Sequence, residues 1–184
     1  MKNPSESFVV LEEFALKATE PSRVALGRLV GTSGRAVIKT YDLKKRAYIS
    51  TTSMDSELAL ITANMALAAP GKLLYDPFTG TGSFPIACAH FGASVLGSDI
   101  DGRSIRGAPD RNVVSNFKQY KLLDRYLDGF VSDLTNSPLR RERWLDGIVC
   151  DPPYGVREGL KVLGSVKEDL KREVLLADGT PAHL

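Results

Sequence analysis

The sequence predicts an α/β fold on a mostly parallel sheet, and three observations carry that expectation. Short apolar runs at residues 72–78, 94–100, 129–135 and 146–153 alternate with helical stretches, the pattern of strands joined by crossover helices. An aspartate closes each run: Asp76, Asp99, Asp133 and Asp151. The first run leads into a turn with closely spaced glycines, Asp76-Pro77-Phe78-Thr79-Gly80-Thr81-Gly82-Ser83. Ligands of such sheets bind beyond the carboxyl ends of the strands, so the acids stand where a site would be.

Each element follows from local pattern. Residues 1–50 read as a leader or linker from an upstream region, with one short strand over Val24 to Val30 closed by Gly31. The stretch from Arg35 to Lys45 is ambiguous between a short helix and a turn. Residues 51–184 read as the α/β domain. Its first helix is capped by Thr52 or Ser53, carries Leu58, Ile61, Met65 and Leu67 near helical spacing, and stops at Pro70-Gly71. KLLYDPF is the first strand of the domain. FPIACAHF is an apolar helix with Ser83 as its N-cap and Gly92 at its end. SVLGSDI is the next strand, and a helical stretch is expected from about Ser104 through Leu127. GFVSDLT and DGIVCDPP complete the strands, and beyond Tyr154 the pattern fades to at most one short helix near Val166 to Val174.

Composition narrows the class of protein. The chain has 184 residues, 43% apolar and 25% charged, enough for one domain with a real core. No apolar run approaches the roughly 20 residues of a membrane span, and the acidic N-terminus is unlike a signal or transit peptide. These features, with Cys88 and Cys150 read as buried thiols, predict a cytoplasmic protein without metal ligands. The net charge of +2 does not announce a nucleic-acid binder. Local basic clusters, among them Arg103 with Arg106 and Arg111, read as solvated faces when judged alone.

The glycine turn admits three nucleotide readings. A phosphate-cradling P-loop needs Gly-Lys-Ser/Thr, and no lysine is present. A dinucleotide turn wants glycine or alanine where Pro85 stands, and Asp76 would face a pyrophosphate badly. S-adenosylmethionine fits better, since its sulfonium and ammonium charges favour a nearby carboxylate. At the next strand end, Asp99 or Asp101 could accept both ribose hydroxyls; Asp99 is preferred because it ends the strand itself. Asp133 could accept from the adenine amine, with Leu134 beside the base, or simply cap the following segment.

Asp151-Pro152-Pro153-Tyr154 carries the chemistry. Consecutive prolines fix φ and remove both N–H groups, leaving a rigid set of acceptors: the Asp151 carboxylate and the backbone carbonyls. Accepting from both N–H groups of an aryl amine frees its lone pair for in-line attack on a methyl group. Tyr154 offers a face on which a base, flipped out of its stack, can lie.

The combination of TTSMD, DPFTGTGSF, SDIDGRSIRG and DPPYGVRE resembles the eukaryotic and archaeal tRNA guanine-N2 methyltransferases that modify position 10. DPPY by itself is shared with adenine-N6, cytosine-N4 and protein-glutamine methyltransferases. The resemblance, over roughly residues 23–184, implies a Rossmann-like class I methyltransferase fold and tRNA as substrate. It also implies a small zinc-binding activator subunit as partner. By it Asp76, Gly80, Gly82, Asp99 and Asp133 hold the donor, and Asp151 and Tyr154 meet guanine; Thr52, Phe78, Ile100 and Leu134 are further donor-site candidates, and Pro152 and Pro153 are counted with the catalytic loop. TTSMD lies where the family closes over the methionine part of the donor. Family members also carry an RNA-binding THUMP region upstream and further strands downstream. The chain is therefore expected to be a truncated, partial methyltransferase domain lacking C-terminal strands, with GIVCDPP an exposed apolar edge. Two alternatives stand beside this reading: methylation of DNA adenine or protein glutamine, and a non-catalytic fragment that binds donor or partner.

Overall fold

The computed structural model describes residues 4–134 and 137–154. The short helix expected near Val166 to Val174 lies outside the described residues. The chain divides into two compact units, residues 1–37 and 38–184.

In the first unit, β1 (Phe8–Glu13) pairs antiparallel with β2 (Arg23–Arg28), in a register running from Phe8 opposite Arg28 to Glu13 opposite Arg23. The sequence pattern located β2 but not β1. The reason is physical: side chains on both faces of the ribbon are exposed, so nothing imposes the alternation by which a half-buried strand is recognised. The ambiguous stretch from Arg35 to Lys45 forms two 3-10 turns, Arg35–Lys39 and Leu43–Lys45.

The second unit is built on four parallel strands in the order β5-β4-β3-β6. They are β3 (Leu73–Asp76), β4 (Ser94–Asp99), β5 (Tyr126–Val131) and β6 (Gly147–Ile148). β6 is shorter than the expected strand, since Pro152 and Pro153 have no N–H to give a ladder. Its register is set at Asp146, whose carboxylate accepts from the Leu73 N–H at 2.8 Å and from Lys72 Nζ at 3.0 Å. The Leu73 N–H, with Lys72 beside it, holds this carboxyl below its usual range. Tyr75 ties β3 across the sheet, its hydroxyl 2.5 Å from Ser98 Oγ of β4 and its ring stacked on Phe130 of β5.

The helix α2 (Ser83–His90) is buried from Ser83 through Ala89, as a helix apolar all round must be. It packs on β3 and β4, and α1 (Ser56–Met65) packs on it through the face carrying Ala59, Leu60 and Ala63. Both helix starts differ from the sequence reading. Asp55, not Thr52 or Ser53, caps α1, accepting from the N–H groups of Glu57 and Leu58. An aspartate one residue before the helix satisfies two free donors at once, and Ser53 is turned elsewhere. Ser83 is the first helical residue of α2 rather than its cap, and Gly82 occupies the cap position.

The single helix expected from Ser104 through Leu127 is two: α3 (Gly102–Arg106) and α4 (Val113–Gln119), followed by β5, which takes Tyr126 and Leu127. Pro109 explains the break, as it disfavours helix at the residue before it and donates no hydrogen bond. Asn112 restarts the chain with a reciprocal capping box to Ser115. Phe117 of α4 is fully buried and stacks on Tyr126 with ring centroids 4.5 Å apart. Phe117→Ala should therefore lower unfolding free energy by about 3–4 kcal/mol in a urea titration, with little change in the slope.

Candidate active site

The strand β3 delivers Asp76 to the end of the sheet, where its side chain is only 3% exposed. Oδ1 accepts from the Phe78 N–H at 2.9 Å. Oδ2 is buried and has no hydrogen-bond partner among the described residues. Burial pushes the Asp76 carboxyl up to about 8, and the Asp99 and Asp151 carboxylates add to the push against the Phe78 N–H. A buried acid of this kind is costly to ionise unless a cation meets it.

The turn after Asp76 is held open by its own contacts. The Thr79 N–H donates to the Ser98 carbonyl at 2.9 Å, and Thr79 Oγ1 donates to the Asp76 carbonyl at 2.9 Å. Gly80 and Gly82 have φ of 51° and 87°, the left-handed region that favours glycine. A Cβ on Gly82 would also press on Val113 Cγ1 at 3.2 Å. Beside Gly80 there is open space, with nothing nearer than the Phe78 carbonyl at 3.9 Å. Asp99 closes the patch: its Oδ2 accepts from the Gly80 N–H at 2.7 Å and its Oδ1 from the Asp101 N–H at 2.8 Å.

The two acids of the second strand end thus part company. Asp101 caps α3 through the Arg103 N–H and also grips the Arg103 guanidinium, with Nη2 at 2.7 Å. Asp99 faces the glycine turn. Asp133 is 1% exposed beyond β5, and the preceding Ser132 N–H donates to the Asp99 carbonyl at 3.1 Å. Phe78 and Ile100 are half-buried beside these residues in sequence, and Leu134 is exposed.

Asp151 follows β6 in the sheet position next to β3. It lies near enough to Asp76 to raise the pKa of that carboxyl. Asp151, Pro152 and Tyr154 are exposed, and Pro153 is half-buried. Val149, whose N–H donates to the Tyr75 carbonyl at 3.0 Å, fixes the point from which the Asp-Pro-Pro-Tyr segment departs. The structure therefore gathers Asp76, Gly80, Gly82 and Asp99 in one hydrogen-bonded patch, with Asp151 close by. Thr52 is exposed, with its hydroxyl 3.2 Å from that of Ser50. It is Ser53 that reaches the glycine turn, 2.7 Å from Thr81 Oγ1.

Sequence reasoning missed the residues that fasten residues 46–53 to this turn. Asn116 is fully buried in α4: its Oδ1 accepts from the Tyr48 N–H at 2.9 Å, and its Nδ2 donates to the carbonyls of Tyr48 and Thr81 at 2.8 and 2.9 Å. Arg46, 6% exposed, donates to Ser83 Oγ at 2.8 Å and lies over the Tyr120 ring. Only the amphipathic mismatch of a polar Asn on the apolar side of a helix could have signalled the first of these. Of the two thiols, Cys88 is buried and Cys150 half-buried; burial pushes Cys88 up to about 12, with Asp76 adding to it. No cluster among the described residues could hold a metal ion, and no described helix is long and apolar enough to cross a membrane.

The patch fits S-adenosylmethionine by its own chemistry. The unpartnered Asp76 Oδ2 is an acceptor for positive charge, and the space beside Gly80 admits a ligand against the backbone.

Comparison with known proteins places the chain among methyltransferases by sequence. The chain is 53% identical over 173 residues to the Schizosaccharomyces pombe tRNA (guanine(10)-N(2))-methyltransferase, covering 94% of this chain and 37% of that protein. It is 46% identical over 192 residues to the Saccharomyces cerevisiae protein of the same name, covering 100% of this chain and 44% of that one. The chain thus spans less than half the length of these relatives. Among solved structures, a candidate RNA methyltransferase from Pyrococcus horikoshii superposes with a TM-score of 0.50 at 18% identity, over 67% of this chain and 62% of that one; it shares the fold. Residues 44–175 match the RMKL-like methyltransferase domain, and the chain belongs to that family.

Proposed function

We propose that this chain forms the donor-binding part of an enzyme that transfers a methyl group from S-adenosylmethionine to the exocyclic N2 amine of guanosine 10 in tRNA. The observation that carries the reading is that Asp151, in its Asp-Pro-Pro-Tyr segment, and the buried Asp76 follow adjacent parallel strands at the same end of the sheet. The names of the relatives supply the base and its position.

In this reading Asp76, Phe78, Gly80, Gly82, Asp99, Ile100, Asp133 and Leu134 hold the donor, with Thr52 and its neighbour Ser53 at the edge of the turn. The donor supplies an electrophilic methyl group on a sulfonium. Asp76 balances that positive charge from within a dry site, where it acts more strongly than in water. Asp151 and the carbonyls around Pro152 and Pro153 accept the amine N–H groups and orient the lone pair, and Tyr154 stacks on the guanine ring. A small zinc-binding activator subunit as partner and a cytoplasmic location belong to the same proposal; the free thiols favour a reducing compartment.

The test is methylation of purified unmodified tRNA, duplex DNA and bulk protein with labelled donor, with and without the activator subunit. Label at guanosine 10 of tRNA is the expected result. Label in DNA or protein with silent tRNA would transfer the chain to the other amino-methyltransferase class.

A further inference from the structure

The arginines after β4 are exposed, as a solvated face requires, and they also share a surface cleft. Tyr48, Gly102, Arg103, Arg106, Gly107 and Arg111, with Ala108, line a cleft of about 420 Å³, within the roughly 300–1,000 Å³ of sites that take small ligands. Its walls are built rather than loose. Tyr48 is held from behind by both backbone hydrogen bonds to the Asn116 amide. The Arg106–Arg111 stretch is closed by a bridge between Ala108 and Arg111 and by the Asn112 side chain, which donates to the Ala108 carbonyl at 2.9 Å.

Charge decides what the cleft can take. Arg103 is already matched by Asp101 in a two-pronged ion pair. Arg106 and Arg111 are exposed, and neither has an acid within ion-pair distance among the described residues. The cleft therefore presents two guanidinium groups, whose forked donors suit phosphate oxygens, beside one half-buried tyrosine ring. Guanidinium with aromatic is the pairing that holds the backbone and one base of a single-stranded nucleic acid. The same wall begins at Gly102, and Asp101 is bonded through its N–H to Asp99, so the cleft adjoins the donor patch.

We propose that this cleft is an RNA subsite: Arg106 and Arg111 grip a phosphodiester of the substrate while Tyr48 stacks on an adjoining base. The proposal rests on the tRNA reading above and adds the surface that receives the strand. Phosphate gripped here would fix how the RNA lies across the end of the sheet, since such contacts position rather than read sequence.

The experiment measures binding of an unmodified tRNA transcript to the 184-residue chain by fluorescence anisotropy across a salt series, with donor affinity by calorimetry as the check on folding. The double substitution Arg106→Gln, Arg111→Gln should weaken tRNA binding at least tenfold and flatten the slope of log affinity against log salt by about 1–2. Donor affinity should stay within about twofold. Tyr48→Ala should weaken tRNA binding about tenfold and Tyr48→Phe should retain it, as a stacking role requires. Unchanged tRNA affinity and slope in a double variant that still binds donor would overturn the subsite and leave the methyl-transfer reading intact. Loss of donor affinity instead would place the cleft in the donor site and overturn it equally, as would a wild-type chain that binds no tRNA at low salt. If tRNA binding depends on these arginines but no label reaches guanosine 10, the subsite stands and the proposed reaction falls.

Discussion

Replacing Asp151 with alanine is expected to lower methyl transfer by about a hundred- to a thousandfold, the scale on which one oriented polar group at a reacting centre is usually felt. Donor affinity should barely change. The side chain is exposed beyond β6 and has no part in the core, so the variant should fold. Its charge opposes ionisation of Asp76, and removing it makes Asp76 a slightly better acceptor for a cation. Single-turnover methylation of tRNA beside calorimetric donor binding separates the two effects. If Asp151→Ala lost turnover and donor affinity in parallel, its assignment to the amine rather than to the donor would be wrong.

The second large effect lies in Asp76 and has two signs. Its folded carboxyl, held near 8, takes up a proton far more readily than it would in the unfolded chain, where the ordinary value is 3.8. The stability this contributes is fully present below about pH 4 and is lost as the pH rises towards 8. At pH 8 the cost of the buried charge reaches about 5 kcal/mol. Asp76→Asn keeps the shape of the protonated acid without the charge. It should match the wild type in stability near pH 4 and exceed it by several kcal/mol at pH 8, in urea titrations at the two pH values. Its donor affinity at pH 8 should fall at least tenfold, because the neutral amide gives no charge to a cation. In the wild type, donor affinity should climb between pH 6 and pH 8. A flat profile would mean that the donor does not need the ionised form.

Stability and function thus pull against each other at one carboxyl. The same acid belongs to the group that made a candidate site legible in the sequence. Asp76, Asp99, Asp133 and Asp151 were conspicuous because acids at the ends of apolar strands break a local rule, and such breaks mark places held for a ligand. The strands β3 and β4 were equally plain, being short, apolar and bounded by turn residues.

What stayed hidden has identifiable causes. The strand β1 buries neither face, so its apolar residues show no alternation. The break between α3 and α4 was signalled by Pro109, but the apolar spacing of Val113, Phe117 and Tyr120 outweighed it. The tie between residues 46–53 and the glycine turn was beyond reach, since the Asn116–Tyr48 bonds join residues 68 apart in the chain. No window of neighbouring residues contains both partners. The arginine cleft was invisible for the same reason: Arg103, Arg106 and Arg111 gain meaning only when Tyr48 is brought to them.

The Asn116 amide has a consequence for the entropy of binding. Both of its N–H groups are donated and its oxygen is engaged, so flipping the group would set an oxygen against two carbonyls. One buried side chain thus leaves the glycine turn and the Tyr48 segment a single relative arrangement. A ligand arriving at either meets backbone that folding has already frozen. For a ligand bound there, that share of the ordering cost would be met when the chain folds.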